Sequence, residues 1–169
     1  MRNKKIMFIT YTAVFLALAA FFPALKLPQF ITGPAVNFFL ILATYTLGIV
    51  AGVVIGCLTP WIAFLSGLMP VPFLPPLIMV GNGLYTLSFG LFKKYGWPGK
   101  IGGIIVGSIL KYLFLSYGVR HLVKAPPKLV LMLSTPQLFT ALAGGVLALI
   151  VIAVLPKNIF PEDMLKTEQ

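Results

Sequence analysis

From Leu27 to Phe92 the chain runs 66 residues without an Asp, Glu, Lys, Arg or His. One helical crossing of a bilayer takes about 20 residues, so this single stretch holds room for more than one. Residues 6–25 and 129–156 are likewise free of formal charge. Lipid leaves backbone N–H and C=O groups unpaired unless they bond within a helix or a closed barrel. Long apolar runs without strict alternation favour helices over barrel strands. Charged residues make up 9% of the 169, against about 25% in soluble domains, too few to cover a water-facing surface. The expected class is an all-α membrane protein, a bundle of about six transmembrane helices. Residues 1–156 would form a single transmembrane domain, with 157–169 a short cytoplasmic tail.

The net charge of +10 does not point to nucleic acid. The basic residues lie in short segments between apolar runs, where they set orientation and meet anionic headgroups. All three acids (Glu162, Asp163 and Glu168) fall in the tail, so the spans carry no carboxylate side chain. The single cysteine, Cys57, allows neither an intrachain disulfide nor a multi-cysteine metal site. The basic start resembles a signal peptide, but Phe21-Phe22-Pro23 is a poor cleavage site. We expect a retained first helix over about 6–22.

Prolines and glycines mark the other boundaries. Residues 23–33 read as a loop or re-entrant segment. Residues 35–68 hold two helices with a tight turn near Gly48, the first of them short. The proline-rich stretch from Met69 to Pro76 reads as a loop. Further helices are expected over about 77–92, 101–119 and 136–155, with a basic loop over 120–133. With the N-terminus inside, eight Lys and Arg residues fall on the cytoplasmic side (Arg2, Lys4, Lys5, Lys93, Lys94, Lys100, Lys157 and Lys166). Four fall outside, namely Lys26, Arg120, Lys124 and Lys128. Glycines recur every fourth residue at Gly48, Gly52 and Gly56 and at Gly99, Gly103 and Gly107. Such spacing lets helix backbones approach closely in lipid, and packing within this chain is its simplest use.

Much chemistry is missing. There is no GxxxxGK[ST] loop for nucleotide phosphates, no HExxH and no clustered set of metal ligands. General acid–base catalysis and proton-coupled transport rely on histidines or tuned carboxylates, and the spans hold none beyond His121. We therefore expect no enzyme, cofactor or metal, but a protein that binds a solute and draws its energy from partners. A membrane-embedded transferase and a small channel or structural membrane protein are the competing classes.

The polar residues within the spans cluster by depth. A helix rises 1.5 Å per residue, which puts Asn82 roughly 8 Å below the external start of its span and Lys111 roughly 13 Å below Arg120. Asn37 and Gln137 lie near external helix starts, and Arg120 with His121 closes the fifth span. Trp61, Tyr85, Tyr112 and Tyr117 offer aromatic walls. An ammonium near the bilayer centre costs about 2.5–3.5 kcal/mol on insertion scales, and no acid in the spans neutralises Lys111. The candidate substrate-binding set is Asn37, Asn82, Lys111, Tyr112, Arg120, His121 and Gln137. It points to an anionic or acceptor-rich ligand entering from outside. Against this stand snorkelling of Lys111, headgroup contact by Arg120 and Lys124, an interfacial His121, and plain interhelical bonding by the amides.

Several stretches resemble the substrate-binding S component of an energy-coupling factor (ECF) transporter. They are Ala13-Val14-Phe15-Leu16-Ala17, Thr32-Gly33-Pro34-Ala35-Val36-Asn37, Leu47-Gly48-Ile49-Val50-Ala51-Gly52, Gly81-Asn82-Gly83-Leu84, and Ser134-Thr135-Pro136-Gln137-Leu138 followed by Gly144-Gly145. The resemblance spans about 6–155 and rests mostly on small residues and prolines. It implies a six-helix protein that captures a vitamin or related micronutrient at an external pocket; with the charge count, this makes a plasma-membrane protein with both termini cytoplasmic the expectation. It also implies partners: a transmembrane scaffold subunit, met by an AxxxA-like surface that falls here on Ala13 and Ala17, and two cytoplasmic ATPases. The family's pockets differ between substrates, so no binding residue is carried over. An anionic vitamin and a neutral cobalamin precursor such as α-ribazole both remain open.

Overall fold

The computed structural model describes residues 4–69, 71–123 and 125–154. Arg2, Lys124 and the tail from residue 155 onward, with its acids, lie outside the described residues. Six helices of 17 to 22 residues carry the fold: α1 (Lys4–Ala24), α2 (Gln29–Leu47), α3 (Ile49–Leu65), α4 (Leu74–Phe92), α5 (Gly96–Tyr117) and α7 (Thr135–Val154). A six-residue helix, α6 (Pro127–Met132), precedes the last of them. A tight 3₁₀ turn (Lys93–Tyr95) joins α4 to α5, and a looser five-residue helical turn (Gly118–Leu122) extends α5. No strand occurs among the described residues.

Prolines account for most differences from the sequence-based boundaries. Pro75 and Pro76 sit in the first turn of α4 and Pro98 in that of α5, not in loops. The first N–H groups of a helix have no intrahelical acceptor, so proline is tolerated there. Pro34 lies inside α2, which already begins at Gln29, so the loop expected over 23–33 shrinks to a few residues around Lys26. As a result α2 is a full-length helix, and α3, at 17 residues, is the shorter of the pair. The basic loop expected over 120–133 is largely helical.

The break at Gly48 has a conformational cause. Its φ of 100° belongs to a region that side chains rarely adopt, and it reverses the chain between α2 and α3. Lys93 anchors the reversal by donating to the Thr44 carbonyl at 2.8 Å, one of the acceptors left over in the last turn of a helix. Gly96, with φ 73°, turns α4 into α5 in the same way.

Packing contacts close a circuit: α1 on α3, α3 on α4, α4 on α5, α5 on α7, α7 on α2 and α2 on α1. Helix α2 also touches α3 and α4, so it presses into the ring. The small-residue series sit where backbones meet. A Cβ on Gly103 would lie 3.0 Å from the Phe89 Cα, and one on Gly107 would lie 3.0 Å from the Tyr85 carbonyl oxygen. With Gly99 against Phe92, this fixes α4 and α5 as an antiparallel hairpin. Among the described residues, four stretches are long and apolar enough to cross a membrane: 4–24, 29–47, 74–122 and 127–154. The third of these is the folded-back hairpin, and α3 is apolar but shorter. Alternation places the ends of α1, α3 and α5 together with the starts of α2, α4 and α7.

A Cβ on Gly144 would lie 2.5 Å from the Pro34 carbonyl oxygen and 2.7 Å from the Asn37 Cβ, forcing α2 and α7 apart. Gly144→Ala should therefore destabilise the bundle by about 1–3 kcal/mol in detergent thermal melts. Gly83→Ala, whose Cβ meets nothing within 4 Å, should be neutral or stabilise by up to about 1 kcal/mol, since helical glycine is unfavourable relative to alanine.

Candidate functional site

The site begins with a proline in the middle of α3. Pro60 has no N–H, so the Gly56 carbonyl four residues earlier loses its intrahelical donor. Asn82 on α4 fills the gap, its Nδ2 donating to the Gly56 oxygen at 3.0 Å. A Cβ on Gly56 would sit 2.9 Å from the Asn82 Cβ, so only glycine lets the amide come this close. With its nitrogen fixed on α3, Asn82 presents its oxygen to α5.

That oxygen accepts a hydrogen bond from Lys111 Nζ at 2.8 Å, and Asn37 Oδ1 on α2 accepts a second at 2.6 Å. These are charge-assisted lengths. The ammonium also lies 5.6 Å from the centre of the Tyr85 ring, within reach of a cation–π attraction. Tyr85 is held in turn by donating its hydroxyl to the Ala141 carbonyl at 2.7 Å. The Lys111 stem passes Gly81, where a Cβ would lie 3.3 Å from its Cγ. Lys111 is 3% exposed, and Asn37 and Asn82 are 2% exposed each. No acid lies among the described residues, so nothing there neutralises the charge.

The triad forms the floor of a cavity of about 440 Å³. The cavity opens at the end of the bundle where α1, α3 and α5 finish. Gln137 at the start of α7, Gln29 and Thr32 on α2, Thr59 on α3 and Lys26 in the α1–α2 turn supply the other polar groups at its wall and mouth. The remaining wall is aliphatic, with Val36, Ala63, Leu74, Ile78, Leu129 and Leu133. Lys26 adopts a positive φ of 53°, uncommon for a residue with a side chain. Among the described residues no group of three or more His, Cys, Asp or Glu comes together to hold a metal ion.

Of the seven residues singled out from the sequence, the cavity gathers Asn37, Asn82, Lys111 and Gln137. Tyr112, Arg120 and His121 are not among its lining residues. Arg120 is exposed beside a separate shallow hollow with Ser134 and Thr135, and His121 lies against the exposed Tyr117 ring at 4.9 Å. Depth along a helix says nothing about direction around it. Tyr112 follows Lys111 and so points about 100° away around the axis. Trp61 and Tyr117 are exposed on the outside of the bundle. Lys26, Gln29, Thr32 and Thr59, not anticipated, line the cavity. Their signal was the proline- and charge-bearing break around Lys26 and the internal Pro60. On α1, Ala13 and Ala17 are exposed on the outer face.

A family model described as "ECF transporter, substrate-specific component" matches residues 7–157, nearly the whole chain. No curated protein and no solved structure matches.

Asn82→Ala would leave both Lys111 and the Gly56 carbonyl short of a partner. Unpaired buried groups cost about 1–3 kcal/mol each, and thermal unfolding in detergent should register a loss of that order. Adding Pro60→Ala should recover part of it, because the new N–H can pair the Gly56 carbonyl. A purely additive double mutant would mean that Pro60 and Asn82 are not linked.

Proposed function

We propose, because the chain belongs to the family of ECF transporter substrate-specific components, that it captures a vitamin or related micronutrient in the cavity over Lys111. Membership makes it a substrate-binding membrane subunit of a transporter, not a member of an enzyme family. Transport is then powered by two partner ATPases acting through a transmembrane scaffold subunit. The observation that carries the reading is Lys111 Nζ, a buried cation in a cavity floor, held by amide oxygens at 2.6 and 2.8 Å with no carboxylate side chain among the described residues. Intramembrane ionisable residues are expensive and functional by default. A pocket that is mostly apolar with a few convergent polar groups is the usual form of a small-molecule site. The preferred ligand is anionic or rich in acceptors.

In this reading all six long helices cross the membrane and both termini face the cytoplasm. Lys4, Lys5, Lys93, Lys94 and Lys100 gather at one end, opposite the cavity, and the positive-inside rule puts that end in the cytoplasm. The cavity then opens outward. The exposed Ala13 and Ala17 form the contact with the scaffold, where small side chains permit close helix approach.

Two measurements test this role. The purified chain should bind a solute saturably without turning it over, and it should copurify with a scaffold subunit and two ATPases. Ala13→Trp with Ala17→Trp should abolish that copurification while leaving solute binding within about twofold, since neither residue lines the cavity. Assembly unaffected by both substitutions would remove α1 as the docking face. Turnover by the isolated chain would replace transport with enzymatic function.

A further inference from the structure

The donors on the cavity floor can be counted. An ammonium carries three N–H groups, and Lys111 gives two of them to Asn37 and Asn82. One is left. Asn82 has its nitrogen on Gly56, but the amide N–H groups of Asn37 have no partner among the described residues, and Asn37 lines the cavity. The floor thus offers one positive charge, one ammonium N–H and the Asn37 amide N–H groups. That set matches the two oxygens and single charge of a carboxylate. A phosphate monoester brings about two charges and three acceptor oxygens, and no second buried cation lies beside Lys111 among the described residues to meet it.

The walls speak to the rest of the ligand. The chain holds two Trp, six Tyr and fourteen Phe, yet none of the described residues lining the cavity is aromatic. A conjugated ring gains most from stacking or edge contacts with other rings and finds no such partner here. Leu, Ile, Val, Met and Pro side chains instead give a branched aliphatic surface. At about 440 Å³ the space lies at the lower end of ordinary ligand pockets. Gln29, Thr32 and Gln137 at the mouth can pair amide or hydroxyl groups on a ligand's far end.

We propose that the solute is a small saturated monocarboxylate, its carboxylate against Lys111 and Asn37 and its non-aromatic body against the aliphatic walls. This rests on the capture role proposed above and specifies its substrate class. Exposed Lys26 at the mouth draws the anion in, and buried Lys111 holds it.

The test is native mass spectrometry of the full chain in nanodiscs, exposed to an equimolar mixture. Biotin, pantothenate and lipoate represent saturated carboxylates, and nicotinate and folate aromatic ones. Riboflavin and α-ribazole are the neutral aromatics, and thiamine the cation. The wild-type chain should retain one of the first three. The neutral amide of the retained acid should bind the wild-type chain about tenfold or more weakly, the scale of a lost charged hydrogen bond. Lys111→Gln, which keeps an N–H donor for the asparagine oxygens, should weaken the acid to a similar extent. Retention of an aromatic, neutral or cationic compound overturns the substrate class and leaves capture standing. So does an amide that binds as well as its acid. Retention of nothing overturns capture itself, and the class with it.

Discussion

A buried ammonium with no carboxylate side chain among the described residues is the constraint around which the middle of this bundle is arranged. Insertion scales put its cost at about 2.5–3.5 kcal/mol, and a missing partner would add to that. The chain meets the cost with dipoles. Two asparagine oxygens from different helices accept from Lys111 Nζ, and the Tyr85 ring lies beneath it. None of these removes the positive charge. A site stabilised by dipoles holds no built-in carboxylate that an incoming anion would have to displace.

Each polar contact has a glycine on the facing helix. Gly56 admits Asn82, Gly144 admits Asn37, Gly81 admits the Lys111 stem, and Gly145 leaves room for the Tyr85 hydroxyl. Helices must come this close for short amide and lysine side chains to meet across them. The small residues that pack the bundle therefore also set the geometry of its floor. Pro60 adds a second coupling between fold and site. By freeing the Gly56 carbonyl it gives the Asn82 nitrogen a fixed acceptor, and so decides which face of that amide Lys111 sees.

Much of this was legible in the sequence because lipid simplifies the signal. Charge-free runs mark the helices, and Gly48 marks a reversal. A lysine inside an apolar run stands out with its depth readable from helical rise. What was not legible depended on direction and on neighbours. Tyr112, Arg120 and His121 share a depth range with the cavity but do not line it, because depth carries no angular information. Lys26, Gln29 and Thr32 come to the mouth through a chain break shorter than the proline content suggested. Proline read only as a helix breaker hid the true starts of α4 and α5. It also hid the use of Pro60 as a source of a free carbonyl.

The claim on which the rest depends is that the third Lys111 N–H points at the captured solute. An experimental structure of the full chain with its bound solute measures this directly. A ligand oxygen is expected about 2.7–3.2 Å from Lys111 Nζ, with Asn37 and Asn82 still holding the ammonium. A solute bound at the lysine-rich end or on a lipid-facing groove, with Lys111 untouched, would contradict it.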